Sequence, residues 1–187
     1  MKLHLGCGPC YIEGMFNVDL REDIKTDYCG SFFDLTDELH SQYIPDGSVE
    51  LIWSCHMLEH LPYPMGVVRG LLIFYKWLIP GGVLRLAVPD LGLIVKYYVE
   101  KDPSMFLLGI HPAFPFYKTD SFAERFTFFM RAWRHTVVFD YDLLRVLLID
   151  AGFKPENITR MKPGESRLGL WEHDRMELET LFVEAIK

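Results

Sequence analysis

The chain has 187 residues, half of them hydrophobic, and its 26 acidic and 19 basic side chains give a formal net charge of −7. A chain of this length favours one domain with a substantial buried core. The negative charge disfavours nucleic acid as a general partner, because neutralising phosphates requires clustered Lys and Arg. No apolar run approaches the ~18 residues of a membrane span, and the first residues lack the apolar stretch of a secretion signal. We therefore expect a cytoplasmic protein with reduced cysteines.

In the first half of the chain, short apolar runs alternate with longer helical patterns, which is typical of a parallel sheet with crossover connections. Strands are predicted at 3–5, 16–20, 49–54 and 83–88. The last two are continuous apolar runs, as in strands that are buried on both faces. Between them, 65–78 has its apolar side chains on one helical face. It is followed by Pro80, Gly81 and Gly82, which permit a tight turn into the next strand.

Beyond Pro89 and Asp90 the pattern becomes helical and rich in aromatic side chains. Helices are predicted at 91–100, 121–134 and 141–151, and a last strand at 179–186. Residues 91–139 hold 12 of the 27 aromatic residues in 49 of 187 positions. This enrichment fits either a substrate pocket or the core of a helical cap. No break in composition marks a second domain.

A glycine turn and two acidic residues follow predicted strands. Leu5 precedes the Gly-Cys-Gly turn at 6–8, where two residues without Cβ let a ligand approach the backbone closely. Asp19 stands at the end of the next strand, where a carboxylate can accept hydrogen bonds from both hydroxyls of a ribose. Asp34 again stands at a predicted strand end. A glycine turn followed by these two acids favours a nucleoside ligand, with its ribose at Asp19 and its adenine at Asp34.

Several short motifs occur in a specific order along the chain. The first five are Leu5-Gly6-Cys7-Gly8, Gly14-Met15-Phe16-Asn17-Val18-Asp19, Pro45-Asp46-Gly47-Ser48-Val49-Glu50-Leu51-Ile52, His56-Met57-Leu58-Glu59-His60 and Pro80-Gly81-Gly82-Val83-Leu84. Later ones are Arg134-His135, Ala151-Gly152-Phe153, Gly164-Glu165-Ser166 and Leu181-Phe182-Val183-Glu184-Ala185. Together they resemble the class I S-adenosylmethionine (SAM)-dependent methyltransferases. They are most similar to a small bacterial subgroup of type 11-like methyltransferases, often associated with surface-polysaccharide genes.

The resemblance implies an α/β, Rossmann-like methyltransferase fold. Its mostly parallel sheet of about seven strands, or fewer if the fold is reduced, would bind SAM at the carboxyl ends. A single domain, 1–187, would then comprise a cofactor-binding half at 1–90, a helical aromatic insertion after the fifth strand at 91–139, and a C-terminal part at 140–187. The insertion would form a lid and acceptor site.

The resemblance also implies a set of cofactor-binding residues, which comprises Leu5, Gly6, Cys7, Gly8, Asp19, Leu20, Asp34, Leu35, Ser54, Cys55 and His56. The glycine turn would contact the methionine part of SAM and Asp19 its ribose. Asp34 with Leu35 would frame the adenine. Residues 54–56 would line the sulfonium side. The sulfonium and ammonium groups of SAM suit the charge distribution, since 1–90 carries 6 basic and 12 acidic residues (net −6) and 91–187 carries 13 and 14 (net −1).

The implied reaction is in-line methyl transfer to a small-molecule or sugar acceptor, where the sugar is suggested only by the resemblance. Alignment and exclusion of water would provide most of the catalysis, and a base near neutral pKa would assist an oxygen or nitrogen nucleophile. His60, His135 and His56 are the predicted candidates for that role. No metal site is predicted, and the oligomeric state is left open.

The chain departs from the family pattern at two positions. Many members have an acid two residues before the first glycine and a third glycine after the second, where this chain has His4 and Cys10. Only ten residues separate Leu5 from Phe16, which is short for a crossover that contains a helix. We therefore expect the first helix to be a single turn or absent. A SAM-binding protein that has lost catalysis remains an alternative.

Three other interpretations of the same residues are disfavoured. Cys7-Gly8-Pro9-Cys10 matches the thioredoxin tetrad, but no strand-helix unit precedes it and the following residues form a poor helix. A zinc site of Cys7, Cys10, His56 and His60 would have a gap between its pairs that fits no compact finger. A nicotinamide oxidoreductase would need a glycine where Tyr11 stands and an acid ~20 residues beyond the glycines. The last alternative is disfavoured but not excluded.

Overall fold

A computed structural model describes residues 1–36, 43–108, 121–131 and 133–187, without the side chains of 169 and 170. Its strands are β1 (Lys2–Leu5), β2 (Phe16–Asp19), β3 (Tyr28–Cys29), β4 (Val49–Cys55), β5 (Leu78–Pro89), β6 (Ile158–Met161), β7 (Glu165–Ser166), β8 (Gly169–Leu170) and β9 (Thr180–Ile186). Its α-helices are α1 (Met65–Trp77), α2 (Leu91–Glu100), α3 (Phe122–Arg131) and α4 (Tyr141–Asp150). No helix of the described residues is long and apolar enough to cross a membrane.

Seven strands form one sheet in the order β3-β2-β1-β4-β5-β9-β6. The first five pair in parallel, and β9 runs antiparallel to both β5 and β6. The strand order reverses at β1, which lies between β2 and β4. In open α/β sheets a ligand crevice forms at the carboxyl ends beside such a reversal. The predicted mostly parallel, seven-stranded α/β sheet is confirmed.

Most predicted elements agree with the structure to within a few residues, but β5 starts earlier than predicted. Val49 pairs with Leu78 and Leu51 with Val83, so residues 79–82 bulge out of the ladder. Gly81 in this bulge has a φ of 82°, a left-handed conformation that glycine adopts without a steric penalty. The turn predicted at 80–82 therefore lies within the strand rather than before it.

The segment around Asp34 corrects another expectation. The structure ends β3 at Cys29, after only two residues pair with β2. Asp34 instead opens a short 3-10 turn, Asp34–Thr36, in which the Leu35 side chain is fully buried in the main core. The sequence of an apolar, an acidic and an apolar residue at 33–35 therefore indicates a turn that Leu35 anchors in the core, and not the end of a strand.

The first crossover, residues 6–15, contains no helix, as its length predicts. The buried side chain of Asn17 organises it: Oδ1 accepts a hydrogen bond from the Ile12 N–H (2.9 Å), and Nδ2 donates to the carbonyls of Ile12 (3.0 Å) and Met15 (2.8 Å). A single amide thereby satisfies backbone groups that a helix would have paired internally. The resulting loop lies close to the end of β1.

The two faces of the sheet are covered differently. The helices α1 and α4 pack on one face through the main core, which includes Phe74 and Leu144. The apolar cluster on the other face is built around Trp53, and none of its described members lies in an α-helix. Its cover is the first crossover together with the loop 162–178, which contributes Trp171. This loop folds back toward the carboxyl ends of β1 and β4.

The aromatic insertion forms a small core of its own. Side chains of α2, α3 and the 3-10 turn Pro103–Leu107 pack together, among them Tyr97, Met105 and Phe129. Part of the aromatic enrichment is therefore structural. Phe129 also borders a cavity together with Leu107, Leu108 and Trp133, so the same segment contributes both to a core and to the wall of a cavity.

Candidate functional site

The glycine turn after β1 is held tightly against its neighbours. Gly6 and Gly8 have φ angles of 67° and 53°. The amides of Gly6 and Cys7 both donate to the Val18 carbonyl, at 2.9 and 3.1 Å. A Cβ on Gly6 would lie 2.5 Å from Cγ of Met57, so no larger residue fits there without a shift. The turn therefore places backbone without a Cβ next to the end of β4.

Asp19 stabilises the glycine turn through hydrogen bonds to the backbone. Its Oδ2 accepts a hydrogen bond from the Gly8 amide (2.8 Å) and its Oδ1 one from the Arg21 amide (3.0 Å). A carboxylate oxygen can accept more than one hydrogen bond, so the half-buried group keeps acceptor capacity for a ligand. Next to it, the Leu20 side chain is 72% exposed and offers an apolar surface beside the carboxylate.

A cavity of about 540 Å³, which we call the glycine cavity, lies against the turn. Such a volume is within the usual range for small-ligand sites, about 300–1,000 Å³. Its lining residues are His4, Gly6, Cys7, Gly8, Pro9, Cys10, Tyr11, Ile12, Glu13, Trp53, Cys55, His56, Glu172, His173, Arg175 and Met176.

Burial raises the pKa of Cys7 to about 11 and that of Cys55 to about 12, and lowers the pKa of His4 to about 4. These three side chains are therefore uncharged at neutral pH, and the protonated thiol of Cys7 speaks against redox chemistry there.

A second cavity of about 720 Å³, the histidine cavity, lies beyond the end of β4. Its lining residues are His56, Glu59, His60, Leu107, Leu108, Phe129, Trp133, His135, Asp174, Arg175, Met176, Glu177, Leu178 and Glu179. His56, Arg175 and Met176 border both cavities. The aromatic insertion therefore forms one wall of the histidine cavity, and the loop before β9 separates it from the glycine cavity.

His56 stands at the junction in a constrained conformation. Its φ is 50°, which is uncommon for a residue with a side chain. The backbone amide donates to the Ala87 carbonyl (2.8 Å), and Nε2 lies 2.8 Å from Oγ1 of Thr180. Contacts with β5 and β9 thus fix the imidazole between the two cavities.

Glu59 is the most unusual group in the histidine cavity. Its side chain is fully buried, with Oε1 3.4 Å from Nδ1 of His56 and 3.8 Å from Nε2 of His60. Burial raises the pKa of Glu59 to about 8, and the nearby Glu179 adds to the effect. Burial also lowers the pKa of His56 and of His135 to about 4 and lowers that of His60. At neutral pH the three imidazoles are neutral and Glu59 is mostly protonated.

The structure brings many of the predicted site residues together. Gly6, Cys7, Gly8, Cys55 and His56 line the glycine cavity, and His56, His60 and His135 line the histidine cavity. Leu5 and Ser54 are buried beneath the strand ends. Asp19, Leu20, Asp34 and Leu35 line neither cavity, and the fully buried Leu35 side chain belongs to the main core rather than to a ligand site.

Sequence reasoning missed Glu59, Arg175 and Met176 as site residues. Glu59 lies within the motif His56-Met57-Leu58-Glu59-His60, and its position between two histidines was a usable signal. No feature of the neighbouring sequence identifies Arg175 or Met176 as site residues, because it is the loop 162–178 that brings them to the strand ends. Their role as shared walls depends on the fold of residues 162–178.

No protein-family profile matches this sequence, and no curated protein sequence is significantly similar to it. Solved structures with a similar fold include a SAM-dependent methyltransferase from Archaeoglobus fulgidus (16% identity, TM-score 0.55, 100% of this chain and 85% of that one). Another, from Mesorhizobium loti, has 16% identity and a TM-score of 0.54, with 100% and 90% covered. The CMeT domain of citrinin polyketide synthase has 10% identity and a TM-score of 0.55. This chain matches it over 99% of its own length but spans less than half, 45%, of that longer chain.

Proposed function

We propose that this chain, whose fold is that of the class I SAM-dependent methyltransferases, transfers the SAM methyl group to a small-molecule or sugar acceptor in the histidine cavity. The observation that carries the proposal is the junction of the two cavities, which share His56, Arg175 and Met176. A methyl donor in the glycine cavity and an acceptor in the histidine cavity would meet at His56. Such juxtaposition is the main requirement of an in-line transfer.

The residues present fit SAM. The glycine cavity offers backbone without Cβ at Gly6 and Gly8 and uncharged walls at Cys7 and Cys55 for the methionine part. The half-buried Asp19 has acceptor capacity left for the ribose hydroxyls. The exposed side chain of Leu20 can pack on the adenosine. The methionine part would therefore lie inside the cavity and the nucleoside along the end of β2.

The residues of the histidine cavity can align an acceptor and handle its proton. When bound, SAM supplies a methyl group on a positively charged sulfur that is open to displacement. His60 and His135, neutral at pH 7, are placed to take the proton that the acceptor loses. The apolar walls around Phe129 exclude water and can cover a sugar ring.

We expect Asp19→Ala to weaken binding of S-adenosylhomocysteine by about ten- to a hundredfold, because each charge-assisted hydrogen bond contributes ~1.5–3 kcal/mol. Titration calorimetry measures the change, and Asp23→Ala, an exposed acid paired with Arg21, is the matched control. A 2′-deoxy analogue separates contact with the ribose from loosening of the glycine turn: it should bind less well than S-adenosylhomocysteine to the wild type but equally well to Asp19→Ala. Equal losses in both proteins would contradict the ribose assignment.

We expect His60→Ala and His135→Ala to lower kcat by about 10²–10⁴-fold, the usual contribution of a positioned proton acceptor. A panel of hydroxyl, amine and carboxyl acceptors, read out as S-adenosylhomocysteine release, would first identify an active acceptor. The dissociation constant of S-adenosylhomocysteine should stay unchanged, because neither residue lines the glycine cavity. If the wild type binds the cofactor product but turns over no acceptor, the chain is the catalytically inactive SAM-binding protein instead.

A further inference from the structure

We propose that Glu59, His60 and His135 bind one first-row divalent metal ion, with zinc as the preferred occupant, at the floor of the histidine cavity. One ligand atom from each of the three lies within 4.8 Å of the others. Two imidazoles with one carboxylate suit zinc and its neighbours in the first transition row, whereas magnesium and calcium prefer oxygen ligands. The metal site itself needs no methyl transfer; only its role toward the acceptor rests on the proposed function.

The distances are close to those of a metal centre. In a tetrahedral zinc site the bonds to nitrogen and oxygen are ~2.0–2.2 Å long. The ligand atoms therefore lie roughly 3.3–3.5 Å from one another. Oε1 of Glu59 and Nε2 of His60 are 3.8 Å apart. The ring of His135 has its centroid 5.1 Å from that of His60. All three ligand atoms lie within 4.8 Å of one another, so metal binding would draw these side chains together by about 1 Å.

Several polar atoms with unshared electron pairs lie at the proposed metal site. Both oxygens of Glu59 and Nδ1 of His135 are buried without a hydrogen-bond partner among the described residues. Thr180 Oγ1 donates to the Met176 carbonyl (2.7 Å), so we assign the His56 Nε2 as the donor to that hydroxyl. The lone pair of His56 Nδ1 then faces Glu59 Oε1 at 3.4 Å. Buried polar atoms without partners are unfavourable, and a cation bound to Glu59 and His135 would satisfy them.

The two histidines of the triad are oriented by the backbone. The His60 ring forms a hydrogen bond with the backbone of Trp133, and the His135 ring forms one with the backbone of Phe129. Each imidazole therefore has one nitrogen engaged and one available. Metal-binding histidines usually have this arrangement, because the outer hydrogen bond fixes both the tautomer and the direction of the ring.

The segments that carry the triad are tied together. Glu59 and His60 lie in a 3-10 turn, Leu58–His60, shortly after β4, while His135 comes from the end of the insertion. The neighbouring Thr136 donates its amide to the Glu59 carbonyl (2.9 Å) and its hydroxyl to the Leu61 carbonyl (2.5 Å). Residues 76 positions apart in sequence are thus held at a fixed separation, as a preformed metal site requires.

The metal would define the class of acceptor. Three protein ligands leave an open coordination position, as in catalytic zinc sites. All three proposed ligands line the cavity in which the acceptor is proposed to bind, so an acceptor there could reach the metal. A metal lowers the pKa of a bound hydroxyl group, so we infer that the acceptor binds through an oxygen, as a hydroxylated small molecule or sugar does. As metal ligands, His60 and His135 would have no lone pair left for a proton, so the proton of the bound hydroxyl would pass to Nδ1 of His56, the neutral imidazole that borders both cavities.

Zinc titration of the full chain, purified with a chelator and then freed of it, tests the site. Calorimetry should show one zinc ion bound by the wild type. The affinity should fall at least about 100-fold in Glu59→Gln, His60→Ala and His135→Ala, since loss of a direct ligand exceeds the 10–100-fold effect of losing a supporting residue. Glu177→Gln, an acid on the rim of the same cavity, and His173→Ala, a histidine of the glycine cavity, are the matched controls and should bind zinc as the wild type does.

Two results would overturn the proposal: no zinc binding by the wild type, or zinc binding that survives all three triad substitutions. If Cys7→Ser with Cys10→Ser abolishes binding while the triad variants keep it, the thiols hold the metal and the proposed site is wrong. The same samples titrated with S-adenosylhomocysteine keep the two questions separate. Zinc binding without cofactor binding refutes the proposed methyl transfer but leaves the metal site intact.

Discussion

Arg85→Ala is expected to lower the free energy of unfolding by about 3–5 kcal/mol, because it leaves two buried carboxylates without their cation. The Arg85 side chain is fully buried in β5. Its guanidinium binds both oxygens of Asp174, at 3.2 and 2.5 Å, and Oε1 of Glu184 at 2.7 Å. Glu184 also accepts hydrogen bonds from Ser166 and from the Arg167 amide. One substitution therefore disturbs a whole polar network between the sheet and its covering loop.

Urea unfolding of both proteins measures this effect, and Arg21→Ala is the matched control. Arg21 pairs with Asp23 on the surface, with half or more of each side chain exposed. Exposed ion pairs contribute about 0–1 kcal/mol, so the control should unfold near the wild-type urea concentration. A loss of less than ~1 kcal/mol in Arg85→Ala would show that the network is not a stabilising feature.

The same substitution should also weaken S-adenosylhomocysteine binding, because Asp174 anchors the loop that forms part of the site. Asp174 accepts a hydrogen bond from the Gly164 amide (2.7 Å) in addition to its pairing with Arg85. The following residues, Arg175 and Met176, are shared walls of both cavities. Loss of the anchor would displace these walls, so this charge within the sheet links stability to the proposed function.

The sheet was predictable because its signal is local. Residues 49–54 and 83–88 are apolar on both faces, which indicates strands buried under two layers. The missing first helix was equally predictable, since the ten residues between Leu5 and Phe16 are too few for a crossover with a helix. Each inference needed only the spacing of residues that are near one another in the chain.

The covering of the sheet face around Trp53 by the loop 162–178 was not predictable, because it depends on residues that are far apart in the sequence. Arg85 stands as a single charge in an apolar strand, and its partners Asp174 and Glu184 lie 89 and 99 positions away. Nothing in the composition of 162–178 indicates that this loop takes the place of helices. The raised pKa of Glu59 likewise follows from complete burial, which requires the insertion, β9 and the turn after β4 to be assembled.

Glu59→Gln is expected to stabilise the metal-free protein at alkaline pH relative to the wild type. The pKa of Glu59 rises from 4.5 to about 8 on folding, because burial disfavours the charged form. The unfolded chain therefore loses this proton above pH ~4.5 while the folded chain keeps it until pH ~8. Wild-type stability falls across that window, by roughly 4–5 kcal/mol in total at 1.36 kcal/mol per pKa unit. The Gln side chain does not titrate, so the variant lacks this loss.

Unfolding by urea between pH 5 and 9, with a chelator present, measures the difference between the two proteins. His56 and His135 act in the opposite direction, since a folded-state pKa near 4 makes stability rise with pH up to ~6.5. Their contribution is common to both proteins and cancels in the comparison, and Glu177→Gln should behave as the wild type. Parallel pH profiles for the wild type and Glu59→Gln would contradict the assigned pKa.

Zinc should reverse the order of stability. Bound metal replaces the proton on Glu59, so at pH 8 to 9 it should stabilise the wild type by RT ln(1 + [Zn]/Kd), about 5.4 kcal/mol at a ten-thousandfold excess over Kd, which exceeds the penalty of the buried carboxylate. Glu59→Gln, which lacks the carboxylate ligand, should gain little. A buried carboxylate that destabilises the empty protein and stabilises the metal-bound one is what a binding group rather than a structural one would show.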